Sequence, residues 1–231
     1  ASRLAIMLSG PPGTGKSLLA GHIAAQLNRP LYVVRLDSLI SSLLGDTAKN
    51  VRAIFDFIPT KNAVLFLDEI DAVAKFRDDR QELGELKRVV NTVIQGLDSL
   101  DDSAVVIAAT NHPQLLDPAI WRRFPYQIEI GLPDENVREA LWNYFLFGDS
   151  DKEGLGKILS IISHDLTGAE VERIALAARR RMLLSKGEMK LAEVAGAIIN
   201  ARTAEGATGQ RRSQGELDNK ELARHLQQDG L

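Results

Sequence analysis

One eight-residue run constrains this chain more than any other feature: Gly10-Pro11-Pro12-Gly13-Thr14-Gly15-Lys16-Ser17. It matches the spacing G-x-x-x-x-G-K-[ST]. An apolar run of strand length, Leu4–Leu8, leads into it, and behind it Leu18, Leu19, Ile23, Ala24 and Leu27 recur at helical spacing. A strand, a glycine turn and a helix in that order make a phosphate cradle. Glycine reaches backbone conformations that a Cβ would obstruct, so successive N–H groups can curl around one anion. The start of the helix adds its positive end to the same place. Lys16 then reaches the β- and γ-oxygens of a triphosphate, and Ser17 offers a hydroxyl to Mg²⁺.

The segments that follow read as strands and helices in alternation. Leu31–Leu36, Ala63–Leu67 and Ala104–Ala109 are short apolar runs, and Tyr126–Ile130 is a last strand closed by Gly131 and Pro133. Between them Val51, Ile54, Phe55 and Ile58 mark an amphipathic helix that Pro59 should end, and a longer helix is predicted over Leu83–Leu97. Strands apolar at every position, alternating with helices, predict an α/β fold: a parallel sheet sandwiched by helices, of P-loop NTPase type. Past Pro133 the character changes. Asp134–Phe147, Leu155–Ile162, Gly168–Leu184 and Leu191–Ala201 read as helices with no strand among them, the third opened by a capping box of Thr167 and Glu170. The expected organisation is a nucleotide-binding α/β subdomain over residues 1–133, a small all-α lid over 134–204, and a polar tail over 205–231 expected to be mobile.

Three further groups carry chemistry. Asp68 and Glu69 end the Ala63–Leu67 strand, and in an open parallel sheet ligands bind at that edge. Asp68 there can hold Mg²⁺, and Glu69 can polarise an attacking water; a solvated acidic turn is the plainer reading. Asn111 closes the run Ala108-Ala109-Thr110, where a neutral amide could hold the water or simply cap a turn. Arg122 and Arg123 follow Leu116-Asp117-Pro118-Ala119-Ile120-Trp121. They are either two arginines favoured by a helix C-terminus, or a guanidinium pair that matches phosphate oxygens bidentately.

Composition narrows the function class. The 231 residues carry a formal net charge of −3, which offers no bulk attraction for nucleic acid or anionic membrane. Aromatic residues are 5% of the chain, too few for a base-stacking platform. The absence of cysteine excludes disulfides and thiolate metal sites and suits a cytoplasmic setting. No apolar run reaches the length of a membrane span. His22, His112, His164 and His225 are scattered and suggest no metal site.

Together the glycine loop, Leu65-Phe66-Leu67-Asp68-Glu69-Ile70-Asp71, Ala109-Thr110-Asn111 and Leu116-Asp117-Pro118-Ala119 with Arg122-Arg123-Phe124 resemble an AAA+ ATPase of the AAA clade, from about Leu4 to Arg202. The arginine pair before phenylalanine is most similar to the katanin and spastin group. The resemblance implies ATP and Mg²⁺ as cofactors. It makes Pro12, Gly13, Thr14, Gly15, Lys16, Ser17 and Leu18 the nucleotide loop, with Lys16 and Ser17 as Walker A. Asp68 and Glu69 become Walker B, with Ser17 and Asp68 toward the metal, and Asn111 becomes sensor 1. Arg122 and Arg123 become arginine fingers that enter the neighbouring subunit's site. Thr167-Gly168-Ala169-Glu170 is similar to the stretch that opens the small-domain helix beside the nucleotide, so Gly168 and Ala169 join the binding set. A homo-oligomer, hexameric, that works on a protein substrate or through an adaptor is implied as well.

Some residues depart from the family pattern. By position Leu43-Leu44-Gly45 stands where remodelling members carry an aromatic pore residue, and Leu39, Ile40, Leu43 and Leu44 read equally as one packed helical face. The segment that precedes the first strand in the family is expected to lie in a longer protein. Phe76–Glu82 reads as a solvated loop or a second pore loop, and Arg179-Arg180-Arg181 as a cationic helix end or a nucleic-acid contact. Asp98, Asp101 and Asp102 either sense a neighbouring subunit or form an acidic turn. Protein remodelling is the leading expectation, beside a nucleotide-dependent assembly switch and a nucleic-acid-linked loader.

Overall fold

The computed structural model describes residues 3–41, 47–72, 83–148, 154–185 and 191–203. They belong to two compact units, divided between Gly131 and Leu132. The first contains β1 (Leu4–Ser9), α1 (Lys16–Gln26), β2 (Leu31–Arg35), α2 (Leu36–Ser41), α3 (Thr47–Phe57), β3 (Val64–Asp68), α4 (Leu83–Ser99), β4 (Val105–Thr110), α5 (Pro118–Trp121) and β5 (Tyr126–Glu129). All five strands are parallel, in the order β2-β3-β4-β1-β5.

Alternation along each strand explains why the central strands are apolar throughout. Successive side chains point to opposite faces, and both faces are covered. Ala5, Met7, Leu65, Leu67, Val106 and Ala108 face a core shared with Val51 and Phe55 of α3 and Val89, Val93 and Leu97 of α4. Their neighbours Ile6, Leu8, Val64, Phe66, Val105, Ile107 and Ala109 face Ala20 and Ala24 of α1. The two edge strands differ: β2 is only partly covered and all four residues of β5 are exposed. A strand with a neighbour on one side only has less to bury it.

Local chemistry sets several boundaries apart from the sequence expectation. Leu36 opens α2 instead of ending β2. Pro59 does not terminate α3 directly; α3 stops at Phe57, and Pro59 lies in the first turn of a 3₁₀ segment over Ile58–Lys61. A proline ring is tolerated there because the first-turn N–H has no intrahelical partner. Gly96 of α4 lies under Phe55, whose ring an added Cβ would meet at 2.3 Å. Overpacking costs about 1–3 kcal/mol, against a helix-propensity gain of about 1 kcal/mol. Gly96→Ala should therefore lower the urea midpoint of unfolding, and an unchanged or raised midpoint would show that the ring gives way freely.

The second unit is helical. α6 (Glu135–Trp142) is capped by Asp134, which accepts the Val137 N–H at 2.8 Å, and it runs into a π-turn over Asn143–Phe147. α7 (Leu155–Ile162), α8 (Gly168–Ser185) and α9 (residues 191–203) follow. Trp142, Leu146, Leu159, Leu166, Val171, Ile174, Val194 and Ile198 form its core. The capping box forms as expected: Glu170 Oε2 accepts the Thr167 N–H and hydroxyl, each at 2.9 Å, and Thr167 Oγ1 accepts the Glu170 N–H at 3.3 Å. Among the described residues no helix is long and apolar enough to cross a membrane. Leu43-Leu44-Gly45, Phe76–Glu82 and residues 205–231 lie outside the described residues.

Candidate nucleotide site

The site is built at the C-terminal edge of the sheet. Ser9 of β1 is level with Thr110 of β4, and Leu67 of β3 with Ala108. The residues at or just past the end of each strand, Gly10, Asp68 to Glu69 and Asn111, are therefore delivered to one edge. Gly10 sits at φ 142°, and a Cβ there would meet the Ile130 carbonyl oxygen at 2.1 Å. The loop leaves β1 pressed against the end of β5, in a conformation and a space that only glycine fits. Gly15, at φ 99°, caps α1 without a side-chain hydrogen bond, and no acidic residue stands in the helix's first turn. No carboxylate of α1's own competes for an anion at its positive end.

Lys16 is buried, and its ammonium donates to the carbonyls of Gly10 at 2.9 Å and Pro11 at 2.7 Å. Burial pushes its pKa down, while the charges of Asp68 and Asp71 push back. Thr14 Oγ1 donates to the Pro11 carbonyl at 2.9 Å. Pro12, Gly13, Ser17 and Leu18 are exposed along the loop and the start of the helix. Ser17 Oγ donates to Asp68 Oδ2 at 3.4 Å, the long end of the range.

Asp68 Oδ1 also accepts the Glu69 N–H at 3.0 Å. Glu69 is held at φ 54°, unusual for a residue with a side chain. The turn after it is fastened to β4 by the Ile70 N–H, which donates to the Ala109 carbonyl at 3.0 Å. Fully buried Asp71 accepts the Thr110 hydroxyl at 2.9 Å and the Asn111 N–H at 3.3 Å, so it ties the acidic turn of β3 to the end of β4. Asn111 Oδ1 is buried and has no hydrogen-bond partner among the described residues. An orphaned acceptor of this kind calls for a donor from outside the protein.

Asp37, which the sequence did not single out, completes the group. Arg35 is level with Asp68 in the sheet, so Asp37, at the start of α2, arrives beside Glu69. The two carboxyls are hydrogen-bonded to each other, and Arg35 Nη2 pairs with Asp37 Oδ2 at 3.2 Å. Burial, then the charge of Asp37 and the shared hydrogen bond, push Glu69 above the ordinary carboxylate range. Burial also pushes Asp37 upward, but the Ser38 N–H and the Arg35 guanidinium outweigh it and hold Asp37 below its usual value. Of the two carboxyls, Glu69 is therefore the more readily protonated. A proton acceptor must first lose its own proton, so a raised Glu69 lifts the acid limb of any activity it supports. Asp37→Asn removes a neighbouring negative charge, and the acid limb of kcat/KM should move to lower pH. An unmoved limb would detach Asp37 from the reacting group.

The remaining candidates divide. Arg122 is exposed and Arg123 is turned toward α4, where Asp98 receives it. Gly168 and Ala169 belong to the helical unit and open α8. Among the described residues no group of three His, Cys, Asp or Glu side chains could hold a metal. A Mg²⁺ that arrives with a nucleotide needs only one or two protein oxygens beside phosphates and water.

The comparisons agree with this geometry. Residues 6–132 match the family described as ATPase family associated with various cellular activities (AAA). An AAA family ATPase of Sinorhizobium fredii, y4kL, is 50% identical over 122 residues, 53% of this chain and 37% of the relative. A proteasome-activating nucleotidase of Saccharolobus islandicus is 34% identical over 182 residues, 75% of this chain and 46% of the relative. The ATP-dependent zinc metalloprotease FtsH 3 of Sphaerobacter thermophilus is 35% identical over 186 residues, 76% and 38% respectively. The chain spans less than half the length of each of these curated relatives. With the loop, the acidic turn and the orphaned amide on one sheet edge, and the family match running through all of them, the chain belongs to the AAA family of ATPases, which are ATP-hydrolysing enzymes.

Proposed function

We propose that the chain binds Mg-ATP between the Gly10–Ser17 loop and the ends of β3 and β4, and hydrolyses it within a ring of identical subunits to remodel a protein substrate. The observation that carries this reading is the Ser17 hydroxyl on the Asp68 carboxylate, beside a loop that already holds a buried ammonium. A hydroxyl and a carboxylate side by side, next to a phosphate cradle, are the oxygen ligands a Mg²⁺-phosphate needs from a protein. When bound, Mg²⁺ neutralises charge on the β- and γ-oxygens.

The chain's own residues supply the rest. Lys16 exchanges its loop carbonyls for phosphate oxygens. Pro12, Gly13, Thr14, Gly15 and Leu18 line the loop and helix start. Glu69 orients a water and draws off its proton, and Asn111 presents its buried Oδ1 to that water as an acceptor. A guanidinium from the Arg122-Arg123 segment of a neighbouring subunit meets charge developing on the γ-phosphoryl. Residues 1–133 are the nucleotide-binding subdomain and residues 134–204 the small helical subdomain. Action on a protein substrate is supported by the relative named a proteasome-activating nucleotidase; the hexameric ring rests on the family resemblance of the motifs alone. A place beside the katanin and spastin group rests on Arg122-Arg123-Phe124 alone.

Titration calorimetry of the full-length protein tests the core of this reading. Saturable ATP uptake that requires Mg²⁺ is expected, and no heat of binding from folded protein would remove it.

A further inference from the structure

We propose that the two arginines after α5 have divided roles. Arg122 is the guanidinium offered to a neighbouring subunit's nucleotide, and Arg123 is a positioning residue anchored on Asp98 of its own chain. This deepens the trans-acting guanidinium of the proposed function and rests on it.

The pair look equivalent in sequence and are not equivalent in the fold. Arg123 Nε and Nη2 donate to the two oxygens of Asp98 at 2.8 and 2.7 Å, and its Nη1 donates to the Ala119 carbonyl at 2.6 Å. All three guanidinium nitrogens are thus engaged within the subunit, in the bidentate geometry that gives arginine–carboxylate pairs their directionality. The hydrogen bond from Arg123 holds Asp98 below the usual carboxylate range. Arg122 is exposed, and its guanidinium makes no hydrogen bond or ion pair among the described residues. A guanidinium already forked onto a carboxylate is poorly available to a phosphate in another subunit, whereas a free one beside it is available at once.

The surroundings turn this pairing into a mount. Asp98 lies in the last turn of α4, where a carboxylate meets the negative end of the helix and no basic residue of α4 compensates it. Arg123 supplies that compensation from another element. The end of α4 is itself fastened: Arg3 Nη1 donates to the carbonyls of Leu97 and Leu100. On the arginine side, Ile120 and Phe124 are buried in the core that includes Leu97 and Leu100. Asp117 caps α5 by accepting the Ala119 N–H at 2.8 Å. The Arg122 backbone is therefore pinned from both sides, by Ile120 before it and by Arg123 and Phe124 after it. Its side chain projects from a rigid base, which is what a group that must reach across an interface requires.

Steady-state ATPase assays on the assembled full-length protein separate the roles. Arg122→Ala should lower kcat by about 10³-fold or more, the scale of a lost arginine finger. Asp98→Ala and Arg123→Ala should each lower kcat by about 10²-fold, the cost of a displaced reacting group, with KM for ATP little changed. Because both remove one mount, Asp98→Ala/Arg123→Ala should be no worse than either alone. The exchange Asp98→Arg/Arg123→Asp should recover at least about tenfold over Arg123→Asp, a rescue that a purely local packing role would not give. The pair is partly exposed, 24% for Arg123 and 53% for Asp98, so these variants should fold; Asp98→Asn provides a milder version read by the same kcat and KM split. The proposal is overturned if Asp98→Ala and Asp98→Asn turn over like the parent. It is also overturned if Arg123→Ala falls as far as Arg122→Ala and the exchange does not rescue it. Parent-like turnover by both Arg122→Ala and Arg123→Ala would instead remove the trans-acting guanidinium, and this inference with it.

Discussion

Replacing Glu69 with glutamine should leave Mg-ATP binding intact and slow hydrolysis by about 10²–10⁴-fold, the usual contribution of a positioned proton acceptor. The amide keeps the shape of the carboxyl, and glutamine tolerates the left-handed backbone at this position about as well as glutamate does. Among the described residues Lys16 bonds to loop carbonyls and Ser17 to Asp68, so neither depends on the altered carboxyl for its hydrogen bonds. What is lost is the ability to accept a proton, and the shared hydrogen bond with Asp37 persists in altered form. Single-turnover hydrolysis beside a calorimetric binding isotherm reads the two effects apart. Turnover at the parental rate would take the base role from Glu69. Loss of binding would instead show that Glu69 belongs to the nucleotide pocket.

Truncating Lys16 to alanine should have the opposite signature, with binding of Mg-ATP weakened by about 10²-fold or more. Hydrogen bonds to charged groups contribute about 1.5–3 kcal/mol each, and about 1.4 kcal/mol is tenfold in affinity. Lys16 now spends its ammonium on two neutral carbonyls of its own loop. Exchanging these for two phosphate oxygens replaces neutral acceptors by charged ones, in a place where burial already disfavours the ammonium. That desolvation makes an anionic partner worth more there than at an exposed lysine. An alanine variant that binds Mg-ATP with parental affinity would mean that the loop amides alone hold the nucleotide.

Much of this arrangement could be read along the chain because its causes are local. The glycine loop announces itself through residue types that its backbone requires, and Gly10 shows why: its φ of 142° is one that a residue with a Cβ rarely adopts. The apolar central strands declare a sheet buried on both faces, since both alternate sets of side chains must leave water. Thr167 and Glu170 carry their capping box within one turn. In each case the residues that interact are neighbours in sequence, or follow the period of a single element.

The pairings that tune the site had no such signal, because periodicity tells which face a side chain occupies and not what it meets there. The strand order β2-β3-β4-β1-β5 brings Asp37 beside Glu69 and Asp71 beside Thr110 and Asn111. The same packing gives Arg123 to Asp98 and leaves Arg122 free, although the two arginines are adjacent in sequence and identical in type. It also exposes β5, whose residues read as an ordinary strand until the fold puts them at an edge. Residue chemistry along the chain thus determined that a phosphate cradle and its acids exist. Only the tertiary structure decided which charges face one another, because electrostatic coupling depends on distances set by how separate elements pack.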